Sequence, residues 1–488
     1  MNNINNKVKN AAKWSLTAEV LAKLILPITN IILARLLTPE AFGIVATATM
    51  IFSFADIFTD AGFQNYIIQH EFDDDEKLER STTVAFWSNL ALSLFLWGII
   101  SIFNVPLAYV TGIEGYGIVF IVSCISLPIT SLSSIQMALY KRKLDFKTLF
   151  IVRVVTSFLP LVVTVPLAFF TRSFWALIIG TISGNIARAL ILTVKSNWKP
   201  RWFYSFKLLQ DMLSFSCWSL LESISIWLTA YIGTFLVGMY LSTYYIGIYK
   251  TSMNSVNQVN QLITTATCPI LFSALSRLQN NKSEFDKMFL KFQRMVGLIL
   301  VPIGVGIFLF QDLFTYICLG DQWSEAQSFI GLWGLTSSIT TVLSYYSSEA
   351  FRAIGKPKVA VLGQWLHLVV LIPVLIICAQ INFEALYTAR SFVRFQAVLV
   401  DLILMQLFVK IKWYSIISNI ARYLIASGVM YAAGYFLRMA FDNMIWQIAV
   451  VFLCMIIYFT VLFLFFPKSR NDVKFATDII KNKMRKKT

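Results

Sequence analysis

The chain has 488 residues, of which 57% are hydrophobic and 14% are charged, and its formal net charge is +16. Soluble domains are typically about 45–50% apolar and about 25% charged, so this composition excludes an ordinary soluble protein. The apolar residues form recurring blocks, each as long as the roughly 20 residues that a membrane-spanning helix needs. The composition therefore predicts an all-α polytopic membrane protein.

Fourteen apolar segments are predicted as transmembrane helices, joined by short connections. The polar, basic residues 1–13 precede the first segment without a cleavage site, so we expect the first span itself to direct insertion. The predicted spans are residues 14–37, 41–69, 81–104, 113–139, 148–170, 173–195, 212–241, 244–271, 291–316, 325–351, 358–380, 384–410, 413–439 and 444–467.

The spans divide into two sets of six, followed by two more. This grouping predicts two six-helix lobes, a short interfacial linker rich in aromatic and basic residues, a final helix pair and a basic tail. The predicted divisions are an N-lobe at 1–195, a linker at 196–211, a C-lobe at 212–410, the last two spans at 411–467 and a cytoplasmic tail at 468–488.

Lysine and arginine accumulate in the loops that share the side of the N-terminus. The opposite loops hold little beyond Arg172 and Arg438. The positive-inside rule therefore predicts that both termini are cytoplasmic. The net positive charge then faces an anionic inner leaflet, so we expect membrane lipids, and no nucleic acid, as its partner.

The stretch from Leu36 to Met50, "LLTPEAFGIVATATM", interrupts the first apolar run. Thr38 suits an N-cap, Pro39 the first helical position and Glu40 the first turn of a helix. These residues predict that the first span ends here and the second begins, in a tight hairpin that faces outward.

The second half of the chain repeats features of the first. An even number of spans separates the repeats, which predicts a parallel repeat about an axis along the membrane normal; a chance match of apolar residues is the alternative. A shift of 204 residues brings Trp14-Ser15-Leu16 onto Trp218-Ser219-Leu220, Leu37 onto Leu241, Thr38 onto Ser242 and Gly43-Ile44 onto Gly247-Ile248.

Four stretches carry a family resemblance: "ILARLLTPEAFGIVATATM", "FTDAGFQNYIIQ", "TTVAFWSNL" and "YKRKLDFK". They resemble the polysaccharide-export branch of the multidrug/oligosaccharidyl-lipid/polysaccharide (MOP) exporter superfamily, with its lipopolysaccharide, colanic-acid and teichuronic-acid export proteins. The resemblance implies two six-helix bundles around a central cavity, with two extra C-terminal helices.

The resemblance also implies a flippase that uses alternating access. It moves a polyprenyl-diphosphate-linked oligosaccharide from the cytoplasmic to the outer face of the bacterial plasma membrane. A polysaccharide polymerase and glycosyltransferases are its expected protein partners.

Five basic residues inside the spans are candidates for substrate binding. A diphosphate suits arginine, whose planar fork of donors matches its oxygens, and ionisable residues within spans are functional hypotheses by default. We expect the four arginines to line a water-filled cavity between the lobes; a purely structural role is the alternative for each residue. The candidates are Lys23, Arg153, Arg188, Arg390 and Arg394.

Four carboxylates are candidates for binding a coupling proton or ion: Glu19, Asp56, Asp60 and Glu222. Asp56 and Asp60 share one helix face, where two like charges need water or a partner. Two alternatives stay open: Glu19 can pair with Lys23 four residues later, and Asp60 can lie solvated at a cytoplasmic helix end.

Cofactors, metals and catalysis are not predicted. The six cysteines stand singly, the chain has two histidines, and no phosphate-binding glycine loop occurs. Two other functions are weighed against the flippase. A drug or metabolite cation antiporter would need an acidic site, whereas the deep residues are mostly arginines. A membrane polysaccharide polymerase or ligase would need a large outer loop, and none is present.

Overall fold

The structure is a computed structural model, and it describes residues 25–60, 63–441, 443–467 and 469, without the side chains of 60 and 214–219. In this part of the chain every regular element is a helix. These helices fall into two compact units, Met1–Thr251 and Ser252–Thr488. The boundary between the units lies within one long helix, Thr243–Arg277.

Unit 1 contains eleven described helices and the first turns of a twelfth, and its chain runs up and down between short connections. One helix pair is joined through a π-helical turn at Pro160–Thr164. The helices are α1 (Ile25–Leu36), α2 (Pro39–Asp60), α3 (Phe63–Gln69), α4 (Asp75–Ile102), α5 (Asn104–Val110), α6 (Gly117–Cys124), α7 (Ser126–Arg142), α8 (Phe146–Leu159), α9 (Val165–Thr171), α10 (Trp175–Lys195), α11 (Phe206–Tyr240) and the start of α12 (Thr243–Arg277).

Unit 2 contains the rest of α12, nine further described α-helices and a short 3-10 helix, Asp321–Ala326. One π-helical turn, Thr341–Tyr345, lies between α15 and α16, and a second, Met405–Val409, ends the helix that begins at Arg394. The helices are α13 (Lys282–Leu309), α14 (Gln311–Cys318), α15 (Gln327–Thr340), α16 (Ser347–Ala353), α17 (Pro357–Ala379), α18 (Phe383–Phe392), α19 (Arg394–Leu404), α20 (Trp413–Arg438) and α21 (Met444–Phe465).

Eleven helices among the described residues are long and apolar enough to span a membrane, so the protein is a multi-pass membrane protein, as predicted. Each of the other three predicted spans also contains a described helix. Of the first span, only residues 25–37 are described, with a helix over Ile25–Leu36. In the other two, α12 carries several asparagine and glutamine side chains, and the turn at Thr341–Tyr345 divides the predicted span 325–351.

Some helix boundaries differ from those predicted. The predicted span 41–69 contains two helices, α2 and α3, and α11 begins at Phe206 rather than at residue 212. Its first turn therefore lies within the aromatic and basic stretch that was predicted as a linker. Apolar length alone cannot place this boundary, because a helix can begin in polar residues before its apolar run.

The hairpin between α1 and α2 forms where the sequence predicts it. Helix α2 begins at Pro39, and the backbone N–H of Ala41 donates to Thr38 Oγ1 at 3.4 Å. Thr38 thus serves as the N-cap. Helix α12 begins at Thr243, the position that a shift of 204 residues assigns to Pro39.

The starts of α2 and α12 cross in direct backbone contact inside unit 1. A Cβ on Gly43 would lie 2.0 Å from the Thr243 carbonyl oxygen, and a Cβ on Gly247 would lie 1.9 Å from that of Pro39. Gly43 of α2 therefore meets the first residue of α12, and Gly247 of α12 meets the first residue of α2. Such a reciprocal contact is the geometry of a local twofold axis.

An ion pair and its neighbouring hydrogen bonds join the ends of four helices in unit 2. Arg438 at the end of α20 donates to the Leu309 carbonyl oxygen at 2.6 Å and pairs with Asp312 Oδ2 at 2.5 Å. Gln447 of α21 donates to the same carboxylate oxygen at 3.4 Å. These contacts fix α20 and α21 against α13 and α14.

Candidate functional site

Two arginines of unit 2 lie against one buried tryptophan. Arg390 is near the end of α18 and Arg394 begins α19, one helical turn later. Their guanidinium carbons are 5.5 and 4.5 Å from the centre of the Trp333 ring. Both distances are within the range of cation–π attraction, which offsets part of the cost of placing two like charges one turn apart.

Trp333 is positioned from the neighbouring helix. Its indole Nε1 donates to Asn257 Oδ1 of α12 at 3.1 Å, and its side chain is 2% exposed. Buried indole N–H groups need such a partner. The ring of Trp333 is therefore a fixed surface, and the arginines are arranged with respect to it.

The two arginines are poorly solvated within the protein. Arg390 is 5% exposed, and the Nη1 atom of Arg394 is buried without a hydrogen-bond acceptor in the described part of the chain. Arg394 also makes no ion pair with any carboxylate of the described residues. A buried guanidinium donor without an acceptor is costly, so this geometry favours binding of an anion.

A histidine and a glutamine border the arginines. His367 of α17 is buried, and its Nδ1 lies 3.0 Å from Gln396 Oε1 of α19. The Gln396 amide also donates to the Leu366 carbonyl oxygen at 3.3 Å. This contact fixes α17 against α19 at the level of Arg394.

The candidates in unit 1 have different surroundings. Arg153 is exposed on α8, and Arg188 is half-buried on α10, which packs against α8. Asp56 of α2 is half-buried and accepts a hydrogen bond from Thr59 Oγ1 at 3.2 Å, whereas Glu222 of α11 is exposed. Glu19, Lys23 and the side chain of Asp60 lie outside the described residues.

Sequence reasoning assigned no role to three groups that the structure makes prominent. Trp333 was one of 13 tryptophans, and nothing in its local sequence indicates the two arginines. Asp401 of α19 accepts a hydrogen bond from Ser344 Oγ beside Gly363, and Lys250 lies over the ring of Tyr231. The sequence signal that points to Asp401 and Lys250 is that each is a charged residue inside a predicted apolar span.

An apolar cavity of about 610 Å³ opens in unit 2 between α12, α13, α14, α20 and α21. Pro302, Phe310, Met430 and Phe459 are among its lining residues. Among the described residues that line it, only Tyr458 carries a hydroxyl, which donates to the Leu298 carbonyl oxygen at 2.9 Å. The cavity thus presents hydrocarbon to any ligand.

Comparison with known proteins identifies the family. A family described as "Polysaccharide biosynthesis protein" matches residues 32–328, which is more than half of the chain. The chain belongs to this family. The predicted resemblance to polysaccharide-export proteins is therefore confirmed.

Three curated relatives of this family member are similar over much of its length. The succinoglycan biosynthesis transport protein ExoT of Rhizobium meliloti is 22% identical over 65% of this chain and 64% of its own. The lipopolysaccharide biosynthesis protein WzxC of Escherichia coli is 22% identical over 66% of this chain and 65% of its own. The teichuronic acid biosynthesis protein TuaB of Bacillus subtilis is 21% identical over 74% of both. The matches to ExoT and WzxC thus span slightly under two thirds of those proteins.

Two solved structures share the fold of this polysaccharide biosynthesis protein. The lipid II flippase MurJ, in an inward closed conformation, matches with a TM-score of 0.77 and 14% identity over 94% of this chain and 99% of its own. An inward-facing multidrug resistance MATE family transporter matches with a TM-score of 0.65 and 13% identity over 80% of this chain and 94% of its own. At these identities the likeness concerns the fold alone.

The family match ends at residue 328, before Trp333, Arg390 and Arg394. The role of these three side chains in this family member is therefore argued from their geometry.

Proposed function

We propose that this protein is a flippase that moves a polyprenyl-diphosphate-linked oligosaccharide across the membrane by alternating access. The observation that carries the proposal is the Arg390–Arg394 pair on Trp333, with the buried donor on Arg394. Two guanidinium groups one turn apart supply two forks of donors, as a diphosphate with two phosphate groups requires.

The cost of these arginines supports a binding role. An arginine at the centre of a spanning helix costs at least about 2.5 kcal/mol on insertion scales. Trp333 and Asn257 supply a scaffold, and neither removes the charge. A hydrogen bond to a charged group contributes about 1.5–3 kcal/mol, so a bound diphosphate would offset this cost.

The apolar cavity gives the lipid part of the substrate a place in the same unit. Lipid tails are as apolar as leucine, so a polyprenyl chain gains little affinity by leaving the bilayer for this surface. The cavity would instead orient the chain while the diphosphate binds. In this proposal the arginines supply affinity and the cavity supplies position.

Export measurements test the arginine site. Arg390→Ala and Arg394→Ala, singly and together, are compared with wild type in a strain lacking the protein, at matched expression. We expect the double variant to abolish export of the surface polysaccharide and the lysine variants to restore only part of it, because lysine cannot bind two oxygens in a planar fork. Arg352→Ala is the control, since Arg352 is half-exposed and pairs with Glu349 on its own helix.

Intact export in the double alanine variant would show that the arginines are structural. Export by the lysine variants at the wild-type level would show that charge alone suffices.

The other predicted roles belong to the same proposal. Arg153, Arg188 and Lys23 are further candidates for the anionic head group, and Glu19, Asp56, Asp60 and Glu222 for a coupling proton or ion. The protein would lie in the bacterial plasma membrane with both termini cytoplasmic. It would carry out transport without catalysis, receiving its substrate from glycosyltransferases and delivering it to a polymerase.

The cation antiporter is the alternative, and the MATE likeness supports it at the level of fold alone. A cation site would need carboxylates where Arg390 and Arg394 lie. Drug-accumulation measurements with the same arginine variants separate the two functions: altered drug efflux with unchanged polysaccharide export would favour the antiporter.

A further inference from the structure

Unit 1 contains a second cluster of aromatic and basic side chains. Trp227 of α11 lies with its ring centre 4.8 Å from that of Phe54 on α2 and 5.6 Å from that of Tyr231, one turn further along α11. The planes of Trp227 and Tyr231 differ by 30°. The three rings form a continuous aromatic surface, which we call the aromatic row.

The aromatic row has polar groups at its edges. The indole Nε1 of Trp227 donates to Ser53 Oγ at 3.1 Å and to the Met50 carbonyl oxygen at 3.3 Å. The Lys250 ammonium lies 3.9 Å from the centre of the Tyr231 ring and donates to the Ala230 carbonyl oxygen at 3.2 Å. The rings are therefore anchored, and a positive charge is held at one end of the row.

The position of Lys250 indicates that this surface faces water or a polar ligand. Lys250 is seven residues beyond the start of α12 at Thr243, which corresponds to roughly 10 Å along the helix. A lysine at this depth is strongly disfavoured on a lipid-facing surface. Phe54 is 39% exposed, so the aromatic row also presents an accessible ring.

We propose that the aromatic row and Lys250 bind the saccharide part of the substrate, and that they select a sugar carrying a carboxylate. The C–H face of a pyranose ring is apolar and packs on Phe54 and Trp227, while its carboxylate pairs with Lys250. Aromatic walls with a few placed polar groups are typical of small-molecule sites. The ammonium repels a cationic drug, which distinguishes this ligand from the substrate of a cation antiporter.

This inference rests on the proposed function, because it concerns the glycan of the same lipid-linked substrate. Binding is measured on the purified full-length protein in detergent with three probes. They are a short-chain polyprenyl diphosphate without sugar, one carrying glucose and one carrying glucuronic acid. The probe without sugar reports on the diphosphate site, and the gain from each sugar reports on the aromatic row.

For the wild type we expect the glucuronyl probe to bind best and the probe without sugar to bind least. Trp227→Ala and Phe54→Ala should each weaken both glycosylated probes about tenfold, the equivalent of about 1.4 kcal/mol, and leave the probe without sugar unchanged. Trp227→Phe should retain most of the gain. Lys250→Met should abolish the preference for glucuronyl over glucosyl, and Lys250→Arg should keep it.

Phe95→Ala is the matched control, because Phe95 is an aromatic residue of a spanning helix that is 63% exposed. A sugar-dependent gain that survives in Phe54→Ala and Trp227→Ala, or no such gain in the wild type, overturns the inference. If Trp227→Ala does not fold, the exposed Phe54 still carries the test. If Arg390→Ala and Arg394→Ala leave binding of the probe without sugar unchanged, the diphosphate site is wrong while the sugar site stands.

Discussion

Gly43→Ala tests the backbone contact between α2 and α12. The added Cβ would lie 2.0 Å from the Thr243 carbonyl oxygen, whereas Cβ atoms essentially never approach another heavy atom more closely than 3.0 Å. The two helices must therefore separate by about 1 Å, since the obstructing atom is backbone and cannot rotate away. Overpacking typically costs about 1–3 kcal/mol, and a purely backbone contact places this variant at the upper end, near 3 kcal/mol.

The measurement is the thermal unfolding midpoint of the purified protein in detergent, together with polysaccharide export at matched expression. Gly98→Ala is the control, because no atom lies within 4 Å of a Cβ built on that helical glycine. The control should be as stable as wild type or more so, since alanine is favoured over glycine in helices by roughly 0.5–1 kcal/mol. Equal stability of Gly43→Ala and Gly98→Ala would refute the close contact.

A cysteine placed at Glu40 should react with a membrane-impermeant maleimide added from outside, and one placed at Asp74 should not; the reverse pattern would contradict the topology. Trp333→Leu removes the surface on which both arginines lie and should lower export severalfold, while Trp333→Phe keeps most of the activity; equal export by the two variants would argue against a cation–π role. Arg438→Met leaves the partly exposed Asp312 carboxylate without its cation, which should cost about 1–2 kcal/mol of stability. An unfolding midpoint equal to that of wild type would show that this pair contributes nothing.

Local chemistry accounts for what the sequence predicts correctly. The start of α2 follows from the hydroxyl of Thr38 and the fixed φ angle of Pro39, which act within one turn. The multi-pass helical architecture follows from the thickness of the bilayer, which sets the length of each apolar segment. The 204-residue shift also places the start of α12 at Thr243, because repeated segments retain the residues of their turns.

The sites depend on contacts between distant residues and are less accessible to such reasoning. Arg390 and Arg394 were predicted as candidates, since charge inside a span is conspicuous. Their common support was not, because Trp333 is 57 residues before Arg390 and its role exists only after α15 packs against α18 and α19. Lys250 also lies inside a predicted span and could have been selected on that ground, whereas its contact with the Tyr231 ring of another helix is not visible in the sequence.

The double variant Gly43→Ala/Gly247→Ala measures whether the two glycines share one contact. The Cβ of each residue enters the same crossing, at 2.0 Å from Thr243 and 1.9 Å from Pro39. Once the first methyl has separated the helices by about 1 Å, the second meets a gap that is already open. Mutations that share a contact are not additive, so the double variant should lose clearly less stability than the two single losses combined. Additive losses would mean that each methyl is accommodated by an independent local shift, and the reciprocal contact would not act as one crossing.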